Sequence, residues 1–147
     1  NNSDFCLIIM DIDHFKTIND QYGHLVGDRV LKQLAGQVRS GVRQWDIAAR
    51  YGGEEFAILL PNTYLDQARQ AAENIRLSIG RLNMRRTDTG EVIGKISASF
   101  GVAQYHASES DLDLIGRADK AMYEAKNRGR NRTVTSTPQL KDLQLAK

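Results

Sequence analysis

Two adjacent carboxylates beside two glycines are the side chains of this sequence best placed to do chemistry. They lie in Arg50-Tyr51-Gly52-Gly53-Glu54-Glu55-Phe56, between residues 46–49 and the apolar run 56–60. Glycine reaches the positive φ angles that tight turns need, so paired glycines between two strand-like runs predict a hairpin. Its tip would carry Glu54 and Glu55, where the glycine backbone lets a ligand approach closely.

A second acidic element ends another apolar run. Residues 5–10 predict a strand buried on both faces, and Asp11-Ile12-Asp13 follow it directly. Carboxylates that converge from strand ends suit a hard cation, and Mg²⁺ held by one or two carboxylates usually accompanies bound phosphates. We therefore expect a metal site that serves a phosphorylated ligand.

Composition limits the other possibilities. The 147 residues, of which 41% are hydrophobic and 26% charged, predict one ordinary globular domain. A formal charge of +2 does not favour a general nucleic-acid binder. Cys6 is the one cysteine, which excludes an internal disulfide, and the histidines lack metal-ligand spacing, so zinc is not expected. No apolar run nears the roughly 20 residues of a membrane span and no signal peptide is visible, so we expect a cytoplasmic domain without membrane contact of its own.

Apolar residues at helical spacing predict three amphipathic helices. The first carries Val26, Val30, Leu31, Leu34 and Val38 and ends near Gly41, the second carries Ala68, Ala71, Ala72, Ile75 and Ile79, and the third, capped by Asp111 and stopped by Gly129, carries Leu112, Ile115, Ala118 and Met122. We further expect a short helix with a loop over residues 14–27, a turn over 85–94, a half-buried strand over 95–105 and a short strand over 132–134.

The predicted order is therefore β-α-(α)-β-β-α-β-α-β. Because a hairpin in its middle disfavours an all-parallel sheet, we expect an α/β fold of the α+β type. Its central antiparallel or mixed sheet would be flanked by helices in the palm or ferredoxin-like style. Residues 1–135 form the expected domain, and residues 136–147 a loose C-terminal tail.

Four ordered motifs resemble the GGDEF family of diguanylate cyclases. They are Asp11 to Lys16 running into Ile18-Asn19-Asp20, Gly23-His24 with Gly27-Asp28, the hairpin Gly52-Gly53-Glu54-Glu55-Phe56, and Asp119 to Lys126 through Gly129-Arg130-Asn131. Glu54 stands where the family name has aspartate, a variant that the family accepts as active. The likeness spans roughly residues 5–134 and implies a nucleotidyl-cyclase-like fold for the catalytic domain.

The resemblance implies a metal site. Asp11, Glu54 and the backbone carbonyl of Ile12 would bind Mg²⁺ or Mn²⁺, and Asp11, Glu54 and Glu55 would be the catalytic carboxylates. Glu55 is either a second ligand or a general base, and the sequence does not separate these roles. In the alternative interpretation Asp11 caps a helix and Glu54 is a solvated turn residue.

The resemblance also implies contacts to a nucleotide. Asn19 and Asp28 match guanine-reading positions, where a carboxylate accepts from the N–H donors of the base. Alternatively, Asn19 belongs to a turn and Asp28 caps a helix. The phosphate contacts would come from Lys16, Lys126 and Arg130, from the backbone at His14 and Phe15, and from the close approach at Gly52 and Gly53. A basic helix end in solvent is the alternative for residues 126–132.

Arg43-Gln44-Trp45-Asp46 matches the RxxD motif that forms a product-binding inhibitory site in this family. Arg43 would hold a guanine or phosphate, and Asp46 would accept from guanine. The family usually completes this site with an arginine from the next helix. Arg69 and Arg76 are candidates, whereas Asn74 in the usual position would weaken the site.

The expected function is condensation of two GTP molecules to cyclic di-GMP and two pyrophosphates by a homodimer with one GTP per subunit. Three alternatives are a non-catalytic module that binds GTP or cyclic di-GMP, a hybrid cyclase that accepts ATP, and a dimerisation scaffold. The family's usual preceding helix does not appear before Asn1, so we expect an excised catalytic domain. The sequence leaves open whether the full-length protein is anchored to the inner membrane.

Overall fold

The computed structural model describes residues 4–136. These residues form a five-stranded sheet with helices on both faces. Its elements are β1 (Phe5–Ile12), α1 (Phe15–Tyr22), α2 (His24–Gly41), β2 (Ile47–Arg50), β3 (Glu55–Pro61), α3 (Leu65–Gly80), β4 (Ala98–Gln104), α4 (Asp111–Asn127) and β5 (Thr133–Thr135). This order confirms the predicted one. The expected tail lies outside the described residues, except for Ser136.

The sheet is mixed, with the strand order β2-β3-β1-β4-β5. The central strand β1 pairs antiparallel with both β3 and β4, and β2 pairs antiparallel with β3 as the other arm of the predicted hairpin. Strand β5 runs parallel to β4. The expectation of an antiparallel or mixed sheet is therefore confirmed. In this register, Asp11 near the end of β1 lies opposite Glu55 at the start of β3.

The strand β1 sends alternate side chains into two cores. Cys6, Ile8, Met10 and Ile12 join the larger core, which α1, α2 and α3 cover. On the opposite face, Leu7 and Ile9 pack with α4, chiefly through Leu114, Ala118 and Met122. Asp11 follows Leu7 and Ile9 in this alternation, so the period of the strand directs it to the face that α4 covers.

The strand β4 is buried on both faces, so the prediction of a half-buried strand was wrong. Residues 98–103 are all buried because α4 covers the second face. Gly101 permits this contact: a Cβ there would lie 2.0 Å from the carbonyl oxygen of Ala118 and 2.3 Å from the backbone nitrogen of Met122. Only glycine lets the backbones of strand and helix approach so closely.

The ends of α4 follow local capping chemistry. Ser110 caps the helix: its hydroxyl accepts from the backbone N–H of Asp113, and the Asp113 carboxylate accepts from the Ser110 N–H. The prediction that Asp111 caps it was therefore wrong. At the other end Gly129, at φ 120°, stops the helix as predicted. The N–H groups of Gly129 and Arg130 donate to the carbonyls of Lys126 and Ala125 in a Schellman motif.

Residues 14–27 and 85–94 have more regular structure than the sequence predicted. Helix α2 begins at His24, so helix occupies more of residues 14–27 than predicted. The turn predicted over 85–94 contains a single bridge between Arg85 and Val92, with Gly90 and Gly94 at positive φ. None of the helices within residues 4–136 has the length and hydropathy of a membrane span.

Candidate functional site

The hairpin tip between β2 and β3 is shaped by an arginine. The guanidinium of Arg50 donates to the carbonyl oxygens of Gly52 and Gly53, at 3.3 and 2.6 Å. The N–H groups of Tyr51 and Gly52 both donate to the carbonyl of Glu55. Neither Gly52 nor Gly53 has a positive φ, so the reason given for a tight turn was wrong although the hairpin was predicted correctly.

Backbone pairing brings the two predicted acidic elements together. The N–H of Ile12 donates to the carbonyl oxygen of Glu54 over 3.2 Å, and Asp11 faces Glu55 across the sheet. Asp11 lies within β1, which rules out the alternative that it caps a helix. Asp11, Glu54 and Glu55 therefore meet at one end of the sheet, on rigid strand ends.

The electrostatics of this cluster are those of crowded, partly buried carboxylates. Burial raises the pKa of Glu55 to about 7, and the neighbouring Asp11 adds to that shift. Burial, followed by Asp11, also raises the pKa of Glu54 and of Asp119, which extends from α4 toward the same charge. Carboxylates that raise one another's pKa in this way are stabilised by a bound cation.

The ammonium group of Lys126 lies beside these carboxylates. Its Nζ lies 3.1 Å from Oδ1 of Asp11 and 3.5 Å from Oδ1 of Asp13. Within residues 4–136, Oδ1 of Asp11 is buried and accepts no hydrogen bond, so its contact with Lys126 is an ion pair without a hydrogen bond. A buried carboxylate oxygen of this kind calls for an explanation, and a bound ion is one.

Asp13 is saturated, in contrast to Asp11. Its carboxylate accepts from the hydroxyls of Ser97 and Ser99, at 2.6 and 2.7 Å, and from the backbone N–H of Asn131 at 3.0 Å. It therefore orients Lys126 and ties the loop after α4 to β4, and it has little capacity left for a metal. Asp13 was predicted only as part of the acidic element at the end of β1, and Asp119 only as part of a motif, so neither was predicted as a site residue. The available signal for Asp13 was its position directly after a buried strand, because a buried carboxylate needs hydrogen-bond donors or a positive charge beside it.

The donor set fits Mg²⁺ or Mn²⁺. Within residues 4–136 no group of three or more carboxylate, imidazole or thiol side chains is arranged so that it could hold a metal ion by itself. Asp11, Glu54 and the main-chain carbonyl of Ile12 offer oxygen atoms, which are the donors that hard cations prefer. Mg²⁺ is commonly held in this way, by one or two carboxylates with substrate phosphates and water completing the octahedron.

The predicted guanine contacts lie on neighbouring helices. Asn19 is inside α1 and Asp28 inside α2, so the turn and helix-cap alternatives were wrong. Oδ1 of Asn19 is buried without a hydrogen-bond partner, whereas Asp28 is exposed. Asp28 lines a cavity of about 450 Å³ between α2 and the hairpin, together with Leu31, Lys32, Ala35, Val38, Arg39, Ala48, Ala49, Arg50 and Phe56.

The predicted phosphate contacts occupy two places. Helix α1 begins after His14, whose φ of 56° turns the chain out of β1, and no side chain among the described residues caps it. The first-turn N–H groups of a helix have no partner within it, so this end can accept an anion. Lys16 at this helix start and Arg130 beyond α4 are exposed cations, whereas Lys126 is half-buried beside the acids.

Arg43 and Asp46 of the RxxD motif bind each other. Nε and Nη2 of Arg43 lie 3.1 and 3.0 Å from the two carboxylate oxygens of Asp46, and Nη2 also donates to Oγ1 of Thr63. The guanidinium lies 5.4 Å from the ring centroid of the exposed Trp45. The Asp46 side chain is almost fully buried, at 2% exposed, whereas the Arg43 side chain is 42% exposed, so the buried carboxylate holds the guanidinium in a fixed orientation.

Neither candidate arginine of α3 lines the cavity of about 470 Å³ beside Arg43. Arg76 pairs with Glu73 at 2.8 Å and donates to Asn131, and Arg69 lines a different cleft, along β5. Asn74 lines the cavity instead and accepts from Gln70 at 2.9 Å. The amide side chains of Gln70 and Asn74 thus line the cavity where an arginine was expected.

Comparisons with known proteins show which family the sequence matches. The family profile "Diguanylate cyclase, GGDEF domain" matches residues 1–132. Diguanylate cyclase VdcA of Vibrio cholerae is 49% identical over 128 residues, which cover 87% of this chain and 38% of that protein. The chain spans 36% and 19% of the next two curated relatives, so it corresponds to a part of such proteins.

Solved structures show the same likeness. The GGDEF domain of DgcB from Caulobacter crescentus, in complex with c-di-GMP, superposes with a TM-score of 0.88 at 38% identity, covering 90% of this chain and 77% of that one. The active GGEEF domain of a diguanylate cyclase from Vibrio cholerae gives a TM-score of 0.84 at 36% identity, covering 93% and 85% of the two chains.

Proposed function

The chain belongs to the GGDEF family of diguanylate cyclases and has its nucleotidyl-cyclase palm fold, and we propose that it condenses two GTP molecules into cyclic di-GMP and two pyrophosphates. The observation that carries the proposal is the meeting of Asp11, Glu54 and Glu55 at one end of the sheet, with Lys126 beside them. This arrangement supplies both the ligands for a divalent cation and a positive charge for phosphate.

We assign Asp11, Glu54 and the carbonyl of Ile12 as ligands of Mg²⁺ or Mn²⁺. When bound, the cation would neutralise triphosphate charge and polarise the attacking hydroxyl. The chain contributes fixed positions: Asp11 belongs to the central strand, and the hydrogen bond from Ile12 to Glu54 holds the hairpin tip beside it. Positioning of this kind, together with charge stabilisation, supplies most of the rate in phosphoryl transfer.

The reaction would consist of two equivalent half-reactions. In each, the 3′-oxygen of one GTP forms a bond to the α-phosphorus of the other. The bond from that phosphorus to the bridging oxygen of the β-phosphate breaks, and pyrophosphate leaves with the electron pair. The hydroxyl proton passes to a base. Glu55, with its pKa raised to about 7, suits a proton acceptor at neutral pH, and a role as second metal ligand remains the alternative.

We assign the remaining triphosphate contacts to the cations and backbone around the acids. Lys126 lies beside Asp11. We propose that Lys16 and the N–H groups at residues 14–16 reach the phosphates from the start of α1, and that Arg130 reaches them from the end of α4. Gly52 and Gly53 leave room for the triphosphate at the hairpin tip. A Cβ on Gly53 would meet no atom within 4 Å, so this edge is open.

Guanine selectivity is assigned to Asn19 and Asp28. Both offer acceptor oxygens, and the buried Oδ1 of Asn19 has no hydrogen-bond partner among residues 4–136. The Watson–Crick edge of guanine presents adjacent N–H donors, whereas adenine presents an acceptor at N1. A site built from two acceptors therefore favours GTP over ATP, because the wrong base leaves a polar group unpaired.

Two copies of the chain would form the active unit. Each site holds one GTP, and each GTP supplies the nucleophile for the other, so two sites must face each other across a two-fold axis. We propose a homodimer, at least while the reaction takes place.

We also propose that cyclic di-GMP binds at Arg43 and Asp46. The c-di-GMP complex of the related DgcB domain supports product binding in general. Arg43 is held by Asp46 and Thr63, which keeps its guanidinium ordered for a guanine or phosphate. Because Asn74 and Gln70, not an arginine, form the neighbouring wall, we expect weaker product inhibition than in relatives with a complete site.

Conversion of GTP tests the proposal directly. The protein is incubated with GTP and Mg²⁺, and the nucleotides are separated by chromatography. Formation of cyclic di-GMP by the wild type, lowered roughly 100-fold or more in a folded Glu54→Ala variant, is expected from loss of one contact that acts in the transition state. Bound but unconverted GTP would identify a nucleotide receptor instead. Near-normal synthesis by Glu54→Ala would remove Glu54 from the metal site.

A further inference from the structure

Gly27 on α2 has no room for a side chain, because the side chain of Asn19 occupies it. A Cβ at Gly27 would lie 1.8 Å from Oδ1 and 2.9 Å from Cγ of Asn19, and 3.3 Å from Cζ of Phe15. Gly27 is buried and has a negative φ, so backbone conformation does not demand glycine there. The reason for glycine at this position is the space that the Asn19 carboxamide takes.

The Asn19 carboxamide is in turn unusual for a buried group. Its Oδ1 is enclosed but accepts no hydrogen bond from the described residues. Buried acceptors of this kind are rare, and each calls for an explanation such as a missing ligand. The next residue after Gly27 is Asp28, whose exposed carboxylate lines the cavity beside α2. Because Gly27 directly precedes Asp28 on α2, its contact with the Asn19 carboxamide fixes where that carboxamide lies relative to the backbone of Asp28.

We propose that Gly27 is a positioning residue that determines base specificity: the absence of its side chain seats the Asn19 carboxamide against α2, so that Asn19 and Asp28 present two acceptors to guanine together. This inference rests on the proposed use of GTP. It assigns to Gly27 an effect on nucleotide recognition rather than on folding.

The nature of the clash separates this role from simple packing. The atoms closest to the added Cβ belong to the end of the Asn19 side chain, which can rotate away, and not to backbone. We therefore expect Gly27→Ala to fold while the Asn19 carboxamide is displaced. At Gly101 the obstructing atoms are backbone atoms of α4, which have no such escape.

The test compares Gly27→Ala with Gly36→Ala on the same helix, where an added methyl meets no atom within 4 Å. Initial rates of cyclic di-GMP synthesis give kcat and KM for GTP, competition with ATP gives base selectivity, and urea titration gives stability. We expect Gly27→Ala to raise KM about tenfold or more, with a smaller change in kcat and reduced preference over ATP, as for loss of a hydrogen bond to the base. Gly36→Ala should retain wild-type KM and selectivity.

A double-variant cycle makes the mechanism falsifiable. If Gly27 acts through Asn19, the Asn19→Ala/Gly27→Ala protein should have the KM of Asn19→Ala alone. Independent, additive effects would overturn the inference. So would an unchanged KM in Gly27→Ala, or a loss of its stability as large as that of Gly101→Ala.

Failure of the proposed function would be recognised separately. If the wild type makes no cyclic di-GMP, equilibrium titrations of the wild type and of Gly27→Ala with GTP and with ATP still test whether Gly27 positions the Asn19 carboxamide. Weaker GTP binding in Gly27→Ala supports the inference, and equal binding overturns it.

Discussion

Two aspartates at the end of one strand, Asp11 within β1 and Asp13 just after it, have opposite chemical properties. Asp11 keeps a buried oxygen without a hydrogen bond, whereas Asp13 two residues later accepts from two serines and a backbone N–H. Lys126 touches both. The division follows from their surroundings: Asp11 faces the open hairpin tip, and Asp13 faces the serines before and within β4. We infer that Asp11 is available to a ligand and that Asp13 keeps Lys126 in place.

The raised pKa of Glu55 predicts that Mg²⁺ stabilises the protein more at pH 8 than at pH 6. Its folded pKa of about 7, against 4.5 ordinarily, means that the folded state binds more protons than the unfolded state. The corresponding stability is fully present below pH 4.5 and is lost as the pH rises through 7. A bound cation compensates for the ionised carboxylates, so its effect grows across this interval.

Thermal unfolding with EDTA or with Mg²⁺ at the two pH values measures this effect. In Glu55→Gln the difference between pH 6 and pH 8 should shrink, because the carboxyl group whose pKa lies in this interval is absent. A Mg²⁺ effect equal at both pH values and unaltered in Glu55→Gln would contradict the prediction.

At the scale of elements, the site depends on how closely α4 approaches the sheet. Helix α4 carries Asp119 and Lys126, and its Schellman end turns the chain back so that Asn131 reaches Asp13. The glycine at position 101 allows this approach, since the backbone of α4 lies where its Cβ would be. The position of Lys126 beside Asp11 is therefore a consequence of packing on β4.

Gly101→Ala should accordingly destabilise the fold by about 1–3 kcal/mol or more, the range for overpacking a tight core. The activity should fall as well, because a displaced α4 moves Lys126 away from Asp11. Urea unfolding gives the free-energy change. The control is Gly116→Ala on the exposed side of α4, where no atom lies within 4 Å and a gain of roughly 0.4–1 kcal/mol is expected. Equal stability of Gly101→Ala and wild type would refute the packing argument.

At the scale of the whole molecule, one chain supplies half of the proposed reaction centre. In the proposed function, one chain supplies one set of metal ligands, one pair of guanine acceptors and one group of phosphate contacts. Each half-reaction needs a second nucleotide in the opposite orientation, so activity should depend on the association of two copies.

The specific activity of the isolated chain should therefore rise with protein concentration and level off when the dimer is saturated. Rates of cyclic di-GMP formation over a wide range of concentrations, alongside sedimentation measurements of mass, test this. Glu54→Ala should show the same association while lacking activity. A specific activity that rises on dilution would contradict the facing-pair mechanism.

The sequence was sufficient to predict the element order, an antiparallel or mixed sheet, the stop at Gly129 and the meeting of an acidic strand end with an acidic hairpin. These features depend on local signals, namely apolar periodicity, glycine and residue order along the chain. The same signals failed for β4, since the burial of a second face depends on which helix covers it, and for the hairpin, since Arg50 rather than a positive φ shapes its tip.

Only the tertiary structure decided which acids remain open and which are saturated. The partners of Asp13 lie more than 80 residues away along the chain, and the space at Gly27 is filled by a side chain from another helix. Whether a buried polar group is satisfied depends on neighbours brought together by folding, and a spacing pattern carries no record of them. The sequence therefore predicted which residues are candidates for the site, and the packing of the fold determines the surroundings of each.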